Sequence, residues 1–151
     1  MSGTLHSLRS AHRRVYGIGL VLCLGTPSLI AALLLSGAVP PGQQTPVGVL
    51  QQVGYLFTGL VFLAGAWVWG RSGRMVREFP ALAEARRLTV LVRESLLYAL
   101  VFETSSVAGL VYWLLVGAHA GRHVWGFLLL TPLLFLALVP RFDRWAKGLE
   151  D

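Results

Sequence analysis

A single cysteine and only seven acidic residues in a chain of 151 leave little material for most soluble chemistries. Cys23 stands alone inside an apolar run, which excludes a disulfide framework and any cysteine-based metal spacing. Charged residues make up 13% of the chain and hydrophobic ones 55%, with a mean hydropathy of +0.65, outside the usual range of a soluble domain. There is no glycine-rich phosphate loop, no nucleophile beside a plausible base and no pair of acids within one apolar run, so neither an enzyme nor a bound cofactor is expected. His119 and His123, four apart in GAHAGRH, have the spacing of a helical metal pair, but no third ligand accompanies them. A net charge of +6 would point to nucleic acid in a soluble protein. Here the basic residues flank apolar runs, where they meet anionic lipid headgroups, and no nucleic-acid partner is expected.

What the chain does have is long apolar runs. Four of them, near 15–38, 47–70, 92–116 and 124–139, predict an all-α integral membrane protein, a four-transmembrane-helix bundle made of two hairpins. The first follows a polar head with Arg9, His12, Arg13 and Arg14. Ser36 and Ala38 have the small side chains of a leader cleavage site, yet the run exceeds the about 7–15 apolar residues of a leader, so retention is expected. Pro27 in this span frees the carbonyl of Cys23 and predicts a kink beside Thr26 and Ser28. Pro132 does the same beside Thr131 in the fourth span. The second span carries Gly54, Gly59, Ala64, Gly65 and Ala66, small residues that let another helix approach closely, and ends in the interfacial pair Trp67 and Trp69.

Residues 71–91 form a basic loop, with Arg74, Arg77, Arg86 and Arg87 as candidate partner or lipid contacts, and a helix is expected to start at about Pro80. An ordinary basic loop is the plainer alternative. The tail 140–151 places Phe142, Trp145 and Leu149 on one side of a short helix and Arg141, Arg144 and Lys147 largely on the other, the pattern of a segment lying on the membrane surface, with Trp145 as its lipid or partner contact. With both termini and the central loop inside, twelve of the thirteen basic residues are cytoplasmic and only Arg122 is outside. The expected location is the inner membrane of a prokaryote, with both ends in the cytoplasm.

Glu103 is the residue most charged with meaning. If Arg93 marks one membrane surface, Glu103 lies about 15 Å further along the helix axis, near the middle of a core roughly 30 Å thick. A charge there costs at least several kcal/mol unless it is protonated, paired or wetted, so an intramembrane carboxylate is a functional hypothesis by default. Ser106 lies one turn on, on the same side; Thr104 and Ser105 face elsewhere and are expected to bond back to their own helix. No basic residue lies at the depth of Glu103, which predicts relief by a proton, water, a hydroxyl or another subunit. Two readings stand side by side: a reversible proton or cation site formed by Glu103 with Ser106, Thr104 and Ser105, or a neutral glutamic acid bonded across a helix interface.

The run Glu103-Thr-Ser-Ser-Val-Ala-Gly109-Leu110-Val111 resembles the carboxylate-bearing helix of the rotary ATPase ring proteolipids, where a glutamate precedes a Gly-Leu-Val-type stretch. Arg77-Glu-Phe-Pro80 resembles their polar turn. The resemblance implies Glu103 as an ion-binding carboxylate, with Thr104 and Ser105 as sodium-site neighbours. The chain departs from that pattern in its long loop, in a first span without dense glycines, and in carrying the carboxylate on the third helix. An offset of 80 residues also aligns Arg13 with Arg93, Cys23 with Glu103 and Gly37 with Gly117, as two parallel hairpins would. Two functions follow as expectations. One is a non-enzymatic accessory or assembly subunit whose partners are the lipid bilayer and other membrane subunits, or itself; the other is a proton- or sodium-coupled carrier or ring proteolipid using Glu103.

Overall fold

The computed structural model describes residues 2–42, 47–117, 121–147 and 149. It is 90% helix, with no strand among the described residues. Helix α1 spans Ser2–Leu35, α2 Val47–Glu78, α3 Glu84–Val116, α4 Gly121–Leu138 and α5 Phe142–Ala146, with one 3-10 turn at Phe79–Ala81. Among the described residues four helical stretches are long and apolar enough to cross a membrane: Leu5–Leu35, Gln51–Ala81, Glu84–Val116 and Gly121–Ala146.

Three helices outrun the apolar stretches that predict them. At 1.5 Å per residue α1, α2 and α3 are each about 50 Å long, some 20 Å more than a hydrocarbon core. The segment 71–91 is therefore the two ends of a helical hairpin rather than a loop. Its bend occupies only the residues between Glu78 and Glu84, and α3 begins at Glu84, not at Pro80. Pro80 sits instead in the 3-10 turn, where its missing N–H costs nothing. The Arg87 guanidinium stitches that bend, donating to the carbonyls of Leu82 at 3.0 Å and Pro80 at 2.8 Å.

α3 is the central element, packed on α1, α2 and α4. Its partners are read from contacts along its length. Gly54 and Phe57 of α2 lie against Tyr112 while Arg71 reaches Glu94, so α2 runs antiparallel to α3. A Cβ at Gly109 would lie 3.1 Å from the Phe127 Cβ while Thr131 reaches the Phe102 carbonyl, so α4 does too. α1 runs parallel to α3: a Cβ at Gly19 would lie 3.3 Å from the Ala99 Cβ, Cys23 reaches the Ala99 carbonyl, and the Trp113 indole donates to the Val39 carbonyl. Gly19 and Ala99 are 80 residues apart, the same offset that pairs Cys23 with Glu103. Gly37 and Gly117, equally spaced, close the ends of α1 and α3 with nearly identical left-handed φ values of +73° and +74°.

The interior falls into three clusters. The first joins Ile30, Leu34, Val61, Tyr112, Val124 and Phe127. The second, at mid-bundle, joins Cys23, Val68, Tyr98, Ala99, Phe102 and Phe135. The third closes the arginine-rich end with Phe79, Leu91 and Trp145. Trp145 stacks edge-on against Phe79, with ring centroids 5.0 Å apart, and is completely buried. The tail expected to lie on the membrane surface thus inserts its aromatic residue into the protein, because Phe79 and Leu91 offer the apolar socket its indole needs. Trp145 is not a free contact for lipid or a partner.

Candidate functional site

The polar groups buried along α3 form the candidate site. Glu103 turns its carboxylate toward α1, where Cys23, Thr26 and, from its own helix, Ser106 face it. Both carboxylate oxygens are buried, with the Thr26 and Ser106 hydroxyls and the Cys23 thiol as the donors beside them. That position follows from the sequence. Ala99, Glu103 and Ser106 recur at spacings of four and three, which keeps them on one helix face, and Gly19 opposite lets α1 come close enough to cover it.

The three hydroxyls after Glu103 part company. Ser106 bonds across to Thr131 at 2.7 Å, and Thr131 also donates to the Phe102 carbonyl at 3.3 Å. Ser105 is fully buried and donates to the Phe127 carbonyl of α4 at 2.7 Å, so it is an interhelical fastener rather than a side chain bonded back to its own helix. Thr104 does bond back, to the Val101 carbonyl at 2.6 Å, and stands on the exposed face. Of the three hydroxyls only Ser106 shares the carboxylate's surroundings; Thr104 and Ser105 face other directions and are not gathered around Glu103.

About two and a half turns from Glu103 toward the arginine-rich end lies a second carboxylate, Glu94, inside the predicted span 92–116, so that span does hold two acids. The Glu94 side chain has no solvent exposure. Arg71 of α2 grips it in a fork, Nε to Oε2 at 2.6 Å and Nη2 to Oε1 at 2.8 Å, and Arg93 adds a contact to Oε1 at 3.1 Å. Arg71 also lies 5.3 Å from the centre of the Trp67 ring, a cation–π contact. A signal was present: Arg71 ends one apolar run and Glu94 begins the next, so an antiparallel hairpin brings them level. Among the described residues the buried ion pair belongs to Glu94, and Glu103 has no basic partner. Between the two carboxylates lie the buried hydroxyls of Ser95 and Tyr98, that of Tyr98 beside Glu94.

The other candidates are dispersed. Arg74, Arg77 and Arg86 are exposed near the hairpin bend, and Arg87 is committed to holding that bend. His123 is exposed and meets the edge of the Tyr112 ring, while His119 lies outside the described residues. No group of three potential metal ligands occurs among the described residues. No protein family, no curated protein and no solved structure matches this chain.

Proposed function

We propose that this chain is a non-enzymatic four-helix membrane protein, with both ends in the cytoplasm of a prokaryotic inner membrane, acting as an accessory or assembly subunit of a larger membrane complex. The observation carrying this reading is the uncovered face of α2. That helix buries one narrow seam, Val61, Gly65, Val68 and Ser72, at spacings of four, three and four. A second set, Gly59, Ala66, Gly70 and Gly73, is exposed, and a Cβ placed on any of the three glycines would meet nothing within 4 Å. Between spanning helices apolar surface gives no driving force against lipid, and small residues are what allow a close partner. The basic residues at the cytoplasmic ends supply further contacts. The test is the double variant Gly59→Leu/Gly70→Leu, whose side chains enter open space in the free protein. In mild detergent, wild type is expected to elute in an assembly larger than its own mass, and the variant alone with its melting temperature preserved. Wild type eluting as a monomer would overturn the proposal.

A second reading has its own support, the buried carboxylate oxygens of Glu103, which no basic residue pairs among the described residues. Glu103→Gln separates the two, because glutamine retains shape and hydrogen-bonding capacity but loses the exchangeable proton. For an accessory subunit the change leaves assembly intact and stability within about 1 kcal/mol. Labelling of wild-type Glu103 by a carboxyl-reactive carbodiimide that sodium or alkaline pH suppresses would instead assign proton or sodium coupling to this residue.

A further inference from the structure

We infer that the cleft between the start of α1 and the α4–α5 junction binds the headgroup of an anionic phospholipid that carries hydroxyls beside its phosphate. The cleft has a volume of about 470 Å³ and is lined by Arg9, His12, Arg13, Tyr16 and Gly17 of α1 together with Arg141, Phe142 and Asp143. Three guanidinium groups thus converge on one space, and among the described residues none of them makes an ion pair. Guanidinium forks match phosphate oxygens in geometry and charge.

The floor of the cleft is built to hold its shape. His12 is buried and donates from Nε2 to the Pro140 carbonyl at 3.2 Å, since a carbonyl can only accept. Its ring stacks on Tyr16 at 5.6 Å and leans on Phe142 at 5.7 Å. This ties α1 to the α4–α5 junction and keeps Arg9 and Arg13 on one rim and Arg141 on the other. Asp143 adds an acceptor among the three cations, suited to a headgroup hydroxyl rather than to phosphate. Gly17 opens the cleft upward: a Cβ there would meet nothing within 4 Å, and the exposed Ile18 and Val21 continue the path as apolar surface. A phosphate among the arginines would therefore have room for its acyl chains along α1, which a free phosphate does not need. The inference rests on the helices spanning a membrane, not on the accessory role.

Native mass spectrometry of the delipidated full chain in neutral detergent tests this, with phosphatidylglycerol, phosphatidylcholine and glycerol phosphate as probes. One phosphatidylglycerol is expected to bind about tenfold or more tightly than phosphatidylcholine, and Arg13→Gln/Arg141→Gln should erase that preference. Arg74→Gln/Arg77→Gln removes the same charge elsewhere and should retain it. Gly17→Leu, which retains every charge but fills the open channel, should weaken phosphatidylglycerol alone and covers the case in which the arginine variant misfolds. Equal binding of phosphatidylcholine, an equal loss in the Arg74/Arg77 control, or competition by glycerol phosphate at the same concentration as the lipid would each overturn the assignment, the last by showing a site for soluble anions.

Discussion

Arg71→Ala is expected to destabilise the bundle by about 3 kcal/mol, read as a shift in its unfolding midpoint in mixed micelles, because it strands a carboxylate with no access to water. Removing one partner of a buried pair costs about 3–5 kcal/mol, and two features hold this case at the low end. Arg93 still reaches Oε1 of Glu94, and the Arg71 side chain is itself 27% exposed. The same exposure makes the pair asymmetric. Glu94→Gln leaves a cation that can turn toward water or stay over Trp67, so its cost is smaller, about 1–2 kcal/mol. The double variant Arg71→Met/Glu94→Met should fall close to wild type, since well-packed apolar residues replace an ion pair at little net cost. Glu94→Gln proving as damaging as Arg71→Ala would mean that shape, not charge, fixes the carboxylate.

Gly42→Ala is expected to cost about 3 kcal/mol, at the upper end of what overpacking does, through contact at the opposite end of the bundle. An added Cβ would run into the Leu114 carbonyl oxygen and lie 2.5 Å from its carbon, and backbone cannot step aside as a flexible side chain does. The Gly42 N–H also donates to the Trp113 carbonyl at 3.3 Å, so the segment after α1 is fastened onto the last turn of α3. Gly48→Ala is the control, because its Cβ would meet nothing within 4 Å, and it should leave the melting temperature unchanged. Equal melting of the Gly42 variant and wild type would show that this junction is not closed.

The four long apolar helices were legible because predominantly apolar runs of 16 to 25 residues admit few other readings. Their true lengths were not, since charged residues such as Arg74 and Glu78 end a hydropathy window without ending a helix. Glu103 could be found by its depth alone, and Ser106 by helical spacing from it. Thr26 and Cys23 could not, because which neighbour covers a helix face depends on packing, and Gly19 and Ala99 leave no trace in hydropathy. Residue type alone points Ser105 to its own helix backbone. Only the placement of the Phe127 carbonyl, on another helix, turns it outward. Trp145 is the clearest lesson of this kind, since an amphipathic tail reads the same whether its apolar side meets lipid or a socket at Phe79.

The fork between Arg71 and Glu94 has a bearing on how the chain is made. A ribosome releases α2 and α3 before α4, and the two ends of that ionic clasp are only 23 residues apart. The hairpin can therefore neutralise the fully buried Glu94 carboxylate as soon as it exists, without waiting for the rest of the protein. The hydroxyls of Ser105 and Ser106 have no such early relief, because their partners at Phe127 and Thr131 arrive last. A nascent chain halted before α4 would be ionically closed yet still open along one polar edge, the kind of half-finished span that membrane proteases and insertases can tell from a completed one.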